Sequence, residues 1–164
     1  MVYAALKTKR LPQLENPTIL IVTDRNNLDN QISGTFQNVW FENPIQITAS
    51  WDSKTRNLIK ELSTSEGKTI LTTIQSFQSD GDYPLLSDRS NIIVFVDEAH
   101  RTQFGLGMTM SGKLGYAGNM RKWLPNAFFV AFTGTPIEKE WVKDVKKVFW
   151  SYIDSYKISD HGYN

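Results

Sequence analysis

Apolar residues in this chain gather in short unbroken runs, and between the runs they recur at helical spacing. Thr18-Ile-Leu-Ile-Val-Thr23 follows Asn16-Pro17 as one continuous apolar stretch, the pattern of a strand covered on both faces. Asn91-Ile-Ile-Val-Phe-Val96 carries the strongest signal of this kind, and Ala127-Phe-Phe-Val-Ala-Phe132 is another. Thr69–Ile74 is β-rich, and Ile45–Ala49 predicts a weaker strand. Three amphipathic helices are expected between and after them. One is capped among Asp24, Asn26 and Asn27 and carries Leu28, Ile32 and Phe36 inward. A second, capped by Asp52 or Ser53, turns Leu58, Ile59 and Leu62 inward. The last starts near Glu138, with Glu138 and Glu140 at its positive end and Trp141, Val145, Val148 and Phe149 on one face. Its lysines, Lys143, Lys146 and Lys147, read as a solvated face. Arg101–Gly118 is glycine-rich and aperiodic, so it predicts a long loop. Apolar strands alternating with amphipathic helices predict an α/β domain with a mostly parallel sheet flanked by helices. Ligand sites in such sheets lie at the carboxyl ends of the strands.

Composition narrows the classes. With 164 residues the chain falls in the range of one domain, and 40% hydrophobic against 21% charged residues is ordinary globular usage. No cysteine is present, which removes disulfide frameworks and thiolate metal sites and fits a cytoplasmic location. No apolar run approaches the roughly 18 residues of a membrane span, so no membrane partner is expected. The net charge of +1, from 18 basic and 17 acidic residues, lacks the basic excess of a dedicated duplex-binding module. A motor gripping one strand through a narrow face remains compatible with it.

Chemistry concentrates where two strands end. Asp97-Glu98-Ala99-His100 follows directly on the apolar run to Val96, and apolar residues ending in Asp-Glu describe a Walker B element. There the first carboxylate can hold Mg²⁺, usually through water, and the second can orient or deprotonate the water that attacks a γ-phosphate. Taken alone, the same residues also fit a strand ending in a solvated acidic turn. Thr133-Gly134-Thr135-Pro136 follows Phe132 in the same way, and alone it reads as a Gly-Pro turn. Two neighbouring buried strands ending in these two sequences weigh against the plain-turn readings taken together, and in the family that the pair resembles both strands open onto one nucleotide site. By contrast, Gly67-Lys68-Thr69 ends like a P-loop but has Leu62 where that motif needs its first glycine. It also leads into a strand and not a helix, so it is read as a turn.

The pair resembles motifs II and III of superfamily 2 helicases. Asp97–Gln103, Tyr116–Arg121, Leu124–Ile137, Ile19–Gln31 and Ile70–Phe77 are similar in addition to the motor (R) subunit of type I restriction enzymes, over nearly the whole chain. The resemblance implies a RecA-like P-loop NTPase domain lacking its P-loop strand. Residues 1–150 would be a partial motor domain 1 with motifs Ia to III, and 151–164 the start of the link to a second motor domain. It implies ATP and Mg²⁺ as cofactors, with Asp97 as the magnesium carboxylate and Glu98 as the hydrolytic one. His100, Thr133, Gly134 and Thr135 would couple nucleotide state to strand movement, and Thr23, Arg25 and Thr73 would face the translocated DNA. A helix-start arginine exposed to solvent is the alternative for Arg25, and a structural histidine the alternative for His100. The implied parent is an ATP-dependent translocase on double-stranded DNA, working with specificity and methyltransferase subunits. Its P-loop would lie upstream of a helix like Met1–Arg10, and its missing strand would pair beside the one ending at Phe132. The fragment alone is expected to be inactive. Another superfamily 2 DNA or RNA helicase and a non-catalytic truncated remnant are the competing readings.

Overall fold

The chain's most apolar runs form the middle of the sheet, because strands flanked on both sides need side chains that tolerate burial on both faces. The computed structural model describes residues 1–24, 44–47, 51–64, 67–77, 85–97 and 116–133. Helix α1 (Val2–Lys9) leads through a 3₁₀ turn to β1 (Thr18–Thr23). The short β2 (Ile45–Gln46), helix α2 (Trp51–Leu62) and β3 (Thr69–Thr73) follow. Next come a 3₁₀ turn over Ile74–Phe77, β4 (Ile92–Val96), helix α3 (Tyr116–Trp123) and β5 (Phe128–Ala131). The strands lie in the order β2-β3-β1-β4-β5, and every pairing is parallel. This is the α/β, RecA-like arrangement expected.

Alternation along each strand divides the core into two layers. Leu20, Val22, Ile70, Ile92, Val94 and Val96 pack with Leu58 and Leu62 of α2 and Met120 and Trp123 of α3. Ile19, Ile21, Leu71, Ile93 and Phe95 pack on the opposite face with Ala5 of α1. Every residue of β1, β3 and β4 is buried. At about 1.5–3 kcal/mol per fully buried aliphatic side chain, these three strands supply much of the driving force for folding.

Several expectations are adjusted. Helix α2 already includes Trp51, which puts Asp52 and Ser53 within its first turn and not at a cap. Ile74 leaves the strand and opens the 3₁₀ turn. Tyr116, Ala117 and Gly118, read as the end of a long loop, begin α3. The helices expected around Leu28, Ile32 and Phe36 and from Glu138 onward lie outside the described residues, as do residues 151–164.

Gly67-Lys68-Thr69 does run into β3. A Cβ on Gly67 would strike the backbone carbonyl of Asn16, at a turn where Glu15 and Asn16 adopt left-handed φ values of 49° and 56°. Glycine is therefore required there by close backbone approach. Lys68 pairs with Glu61 at 2.8 Å.

Candidate nucleotide site at the carboxyl rim of the sheet

Parallel strands deliver their last residues to one edge. β1, β3, β4 and β5 bring Thr23, Thr73, Asp97 and Thr133 to the same rim. Thr23 stands in register with Thr73, and Val22 with Val96. The backbone N–H of Asp97 donates to the carbonyl of Val22 at 2.9 Å, which fixes the first carboxylate beside the end of β1. On the other side, Phe132 N–H donates to the Val96 carbonyl at 2.8 Å, and its ring stacks on Phe95 with centroids 5.7 Å apart. Asp97 and Thr133 thus leave neighbouring strands together, as the shared-site reading requires.

Exposure separates the four. Asp97 is half-buried and Thr133 exposed. Thr23 and Thr73 are each 0% exposed. Their side chains face into the protein, which differs from the direct DNA-facing role that the resemblance implied for them. Glu98, His100, Arg25, Gly134 and Thr135 lie outside the described residues.

The 3₁₀ turn over Ile74–Phe77 is tied on several sides. Thr72 Oγ1 and Ser76 Oγ share a 2.7 Å hydrogen bond, and Thr55 Oγ1 of α2 donates to the Ser76 carbonyl at 3.2 Å. Asn119 Nδ2 of α3 donates to the Phe77 carbonyl at 3.0 Å, and the Phe77 ring stacks on Trp123. Gln75 Nε2 donates to the backbone carbonyl of Asp24 at 3.1 Å, just beyond the end of β1. Sequence reasoning did not single out Gln75. Nothing in one chain signals a bond between positions so distant.

The donor set suits magnesium of one kind. Mg²⁺ is usually held by one or two carboxylates together with substrate phosphates and water, not by an all-protein cage. The half-buried carboxylate of Asp97 at the rim fits that pattern. Among the described residues no cluster of three or more His, Cys, Asp or Glu could hold a metal by itself. Away from the rim, burial lowers the pKa of the Arg121 guanidinium. The group stays charged at any working pH, lies 4.8 Å from the centre of the Phe129 ring and donates to the Ala127 carbonyl at 3.2 Å. This cation stabilises the start of β5 and not the site.

Comparison with known proteins agrees with this geometry. The family model described as SWI2/SNF2 ATPase matches residues 1–162. The type I restriction enzyme HindI endonuclease subunit of Haemophilus influenzae is 40% identical over 98% of this chain and 16% of its own length. The putative type I restriction enzyme MjaIXP endonuclease subunit of Methanocaldococcus jannaschii is 37% identical over 96% of this chain and 14% of its own length. The chain thus spans about one-seventh to one-sixth of the length of these curated relatives. No helix among the described residues is long and apolar enough to cross a membrane. With its parallel sheet, the Asp97 that follows its fourth strand and a family match over nearly all its length, the chain belongs to the SWI2/SNF2 ATPase family and is similar to the endonuclease subunits of type I restriction enzymes.

Proposed function

We propose that residues 1–150 are the greater part of the first RecA-like motor domain of an ATP-dependent double-stranded DNA translocase. In this reading residues 151–164 begin the link to a second motor domain. The parent works in the cytoplasm within a type I restriction complex, beside specificity and methyltransferase subunits. The supporting observation is the departure of Asp97 and Thr133 from neighbouring parallel strands at one rim.

In this mechanism Asp97 would hold Mg²⁺, and Glu98, the next residue, would orient the attacking water and accept its proton. When bound there, Mg²⁺ would supply charge neutralisation for the transferring phosphoryl group. His100, Thr133, Gly134 and Thr135 sense the nucleotide and pass its state across the rim. Arg25 faces the DNA strand, and the buried Thr23 and Thr73 support that face from beneath.

The test uses the complete motor polypeptide. Glu98→Gln keeps size and hydrogen bonding but removes the carboxylate, so ATP binding survives while turnover falls by roughly 10²–10⁴-fold. Asp97→Asn instead weakens binding of magnesium-nucleotide itself. Turnover measured beside nucleotide affinity separates the two. A Glu98→Gln protein whose DNA-stimulated turnover stays within a few-fold of wild type rules out the mechanism.

A further inference from the structure

The sheet ladder between β1 and β3 ends at the pair Thr23 and Thr73. Past that point the two chains would ordinarily diverge, because nothing in a parallel ladder holds residues beyond its last rung. Here the Gln75 side chain extends the connection, its amide donating to the carbonyl of Asp24 from a partly buried position. Gln75 is itself held by the turn that carries it, since Ser76 is bound to Thr72 and Thr55, and Phe77 to Asn119. A side chain carried on a backbone held in this way has less freedom to lose in making its bond.

We propose that Gln75 is a positioning residue that fixes the direction in which the chain leaves β1. It does so from a turn braced by both α2 and α3. The inference rests on the motor reading above, in which the residue after Asp24 is the DNA-facing Arg25. Gln75 touches neither nucleotide nor DNA in this scheme. It holds the carbonyl before the contact segment, and so governs how well that segment is presented to DNA.

Gln75→Met keeps the length of the side chain and removes the donor, and it should be compared with Thr55→Val, which loosens the same turn from the helix side. The measurement, in the complete motor polypeptide, is ATP turnover against the concentration of a linear DNA duplex, with thermal melting alongside. Loss of one hydrogen bond of ordinary net strength corresponds to about a 2- to 12-fold change in an equilibrium constant. The DNA concentration for half-maximal stimulation should therefore rise within that range in Gln75→Met. Turnover at saturating DNA should stay within two-fold of wild type. Thr55→Val should lower the melting temperature at least as much while shifting the DNA dependence less. An unshifted DNA dependence in Gln75→Met overturns the assignment. So does a parallel loss of saturating turnover and melting temperature matching Thr55→Val, because that is the mark of a residue serving only the fold. A wild-type protein with no DNA-dependent turnover overturns the motor reading itself, and the role of Gln75 with it.

Discussion

Thr69 and Thr72 lie in the same buried strand and contribute in opposite directions. The hydroxyl of Thr69 is buried and has no hydrogen-bond partner among the described residues, whereas that of Thr72 is satisfied by Ser76. A buried polar group without a partner carries its desolvation cost uncompensated, about 1–3 kcal/mol. Thr69→Val is nearly isosteric and favours the strand, so it should stabilise the protein by about 1 kcal/mol. Thr72→Val leaves Ser76 Oγ without that bond and should destabilise by about 1–3 kcal/mol. Denaturant unfolding of both variants checks the pair, and the reverse order of stabilities would contradict this account. At the opposite end of the sheet, Arg89 ties three segments. Its Nη1 donates to the Thr64 carbonyl, its Nη2 reaches Thr18 Oγ1 at 3.2 Å, and Nη2 and Nε hold Asn91 Oδ1 at 2.7 and 3.1 Å. The planar fork of arginine makes such a junction, which the point charge of a lysine does not. Neither distinction was readable beforehand. Both threonines stand in one apolar run, and Arg89 stands in a polar stretch without periodicity.

Elements were legible where hydrophobic pattern alone determines them. β1 begins and ends at the residues that its apolar run delimits. α3 was not legible, because Gly118 within it costs about 1 kcal/mol against alanine in a helix interior. What recovers that cost is tertiary: Ala117, Met120 and Trp123 are buried, Phe77 stacks on Trp123 with centroids 6.1 Å apart, and Asn119 bonds the Phe77 carbonyl. β5 shows the reverse situation, a strand correctly expected but with a single neighbour among the described residues. Among the described residues it pairs with β4 alone, and Phe128 is 59% exposed. Val130 and Phe132 pack only partly against the α1 layer. An apolar strand with a free edge templates self-association. The 164-residue chain should therefore elute from size exclusion as species that grow with concentration, and Phe128→Lys should reduce them. A wild-type chain that stays monomeric across the range would mean that this edge is covered.

At the scale of the whole molecule, binding and hydrolysis of nucleotide depend on parts brought together from several segments. Phosphoryl transfer draws almost wholly on positioning and on stabilising charge. On the proposed reading the phosphate-cradling loop and the arginine finger belong to the parent outside these 164 residues. The chain alone should then hydrolyse no ATP above background, with or without DNA, and a phosphate-release assay that finds DNA-stimulated turnover would refute that division of labour. The sequence by itself determined the α/β class and the central strands, and it carries Asp-Glu and Thr-Gly-Thr-Pro directly after two apolar runs. These are local: burial on both faces demands continuous apolar runs, and a motif needs only its neighbours to be recognised. Only the tertiary structure decided that Thr23 and Thr73 are buried and that Gln75 reaches Asp24. It also decided that Gly67 is needed because Asn16 passes against it. Each of these joins residues far apart in sequence, and such contacts are set by how helices and strands settle against one another, a property that no single segment carries.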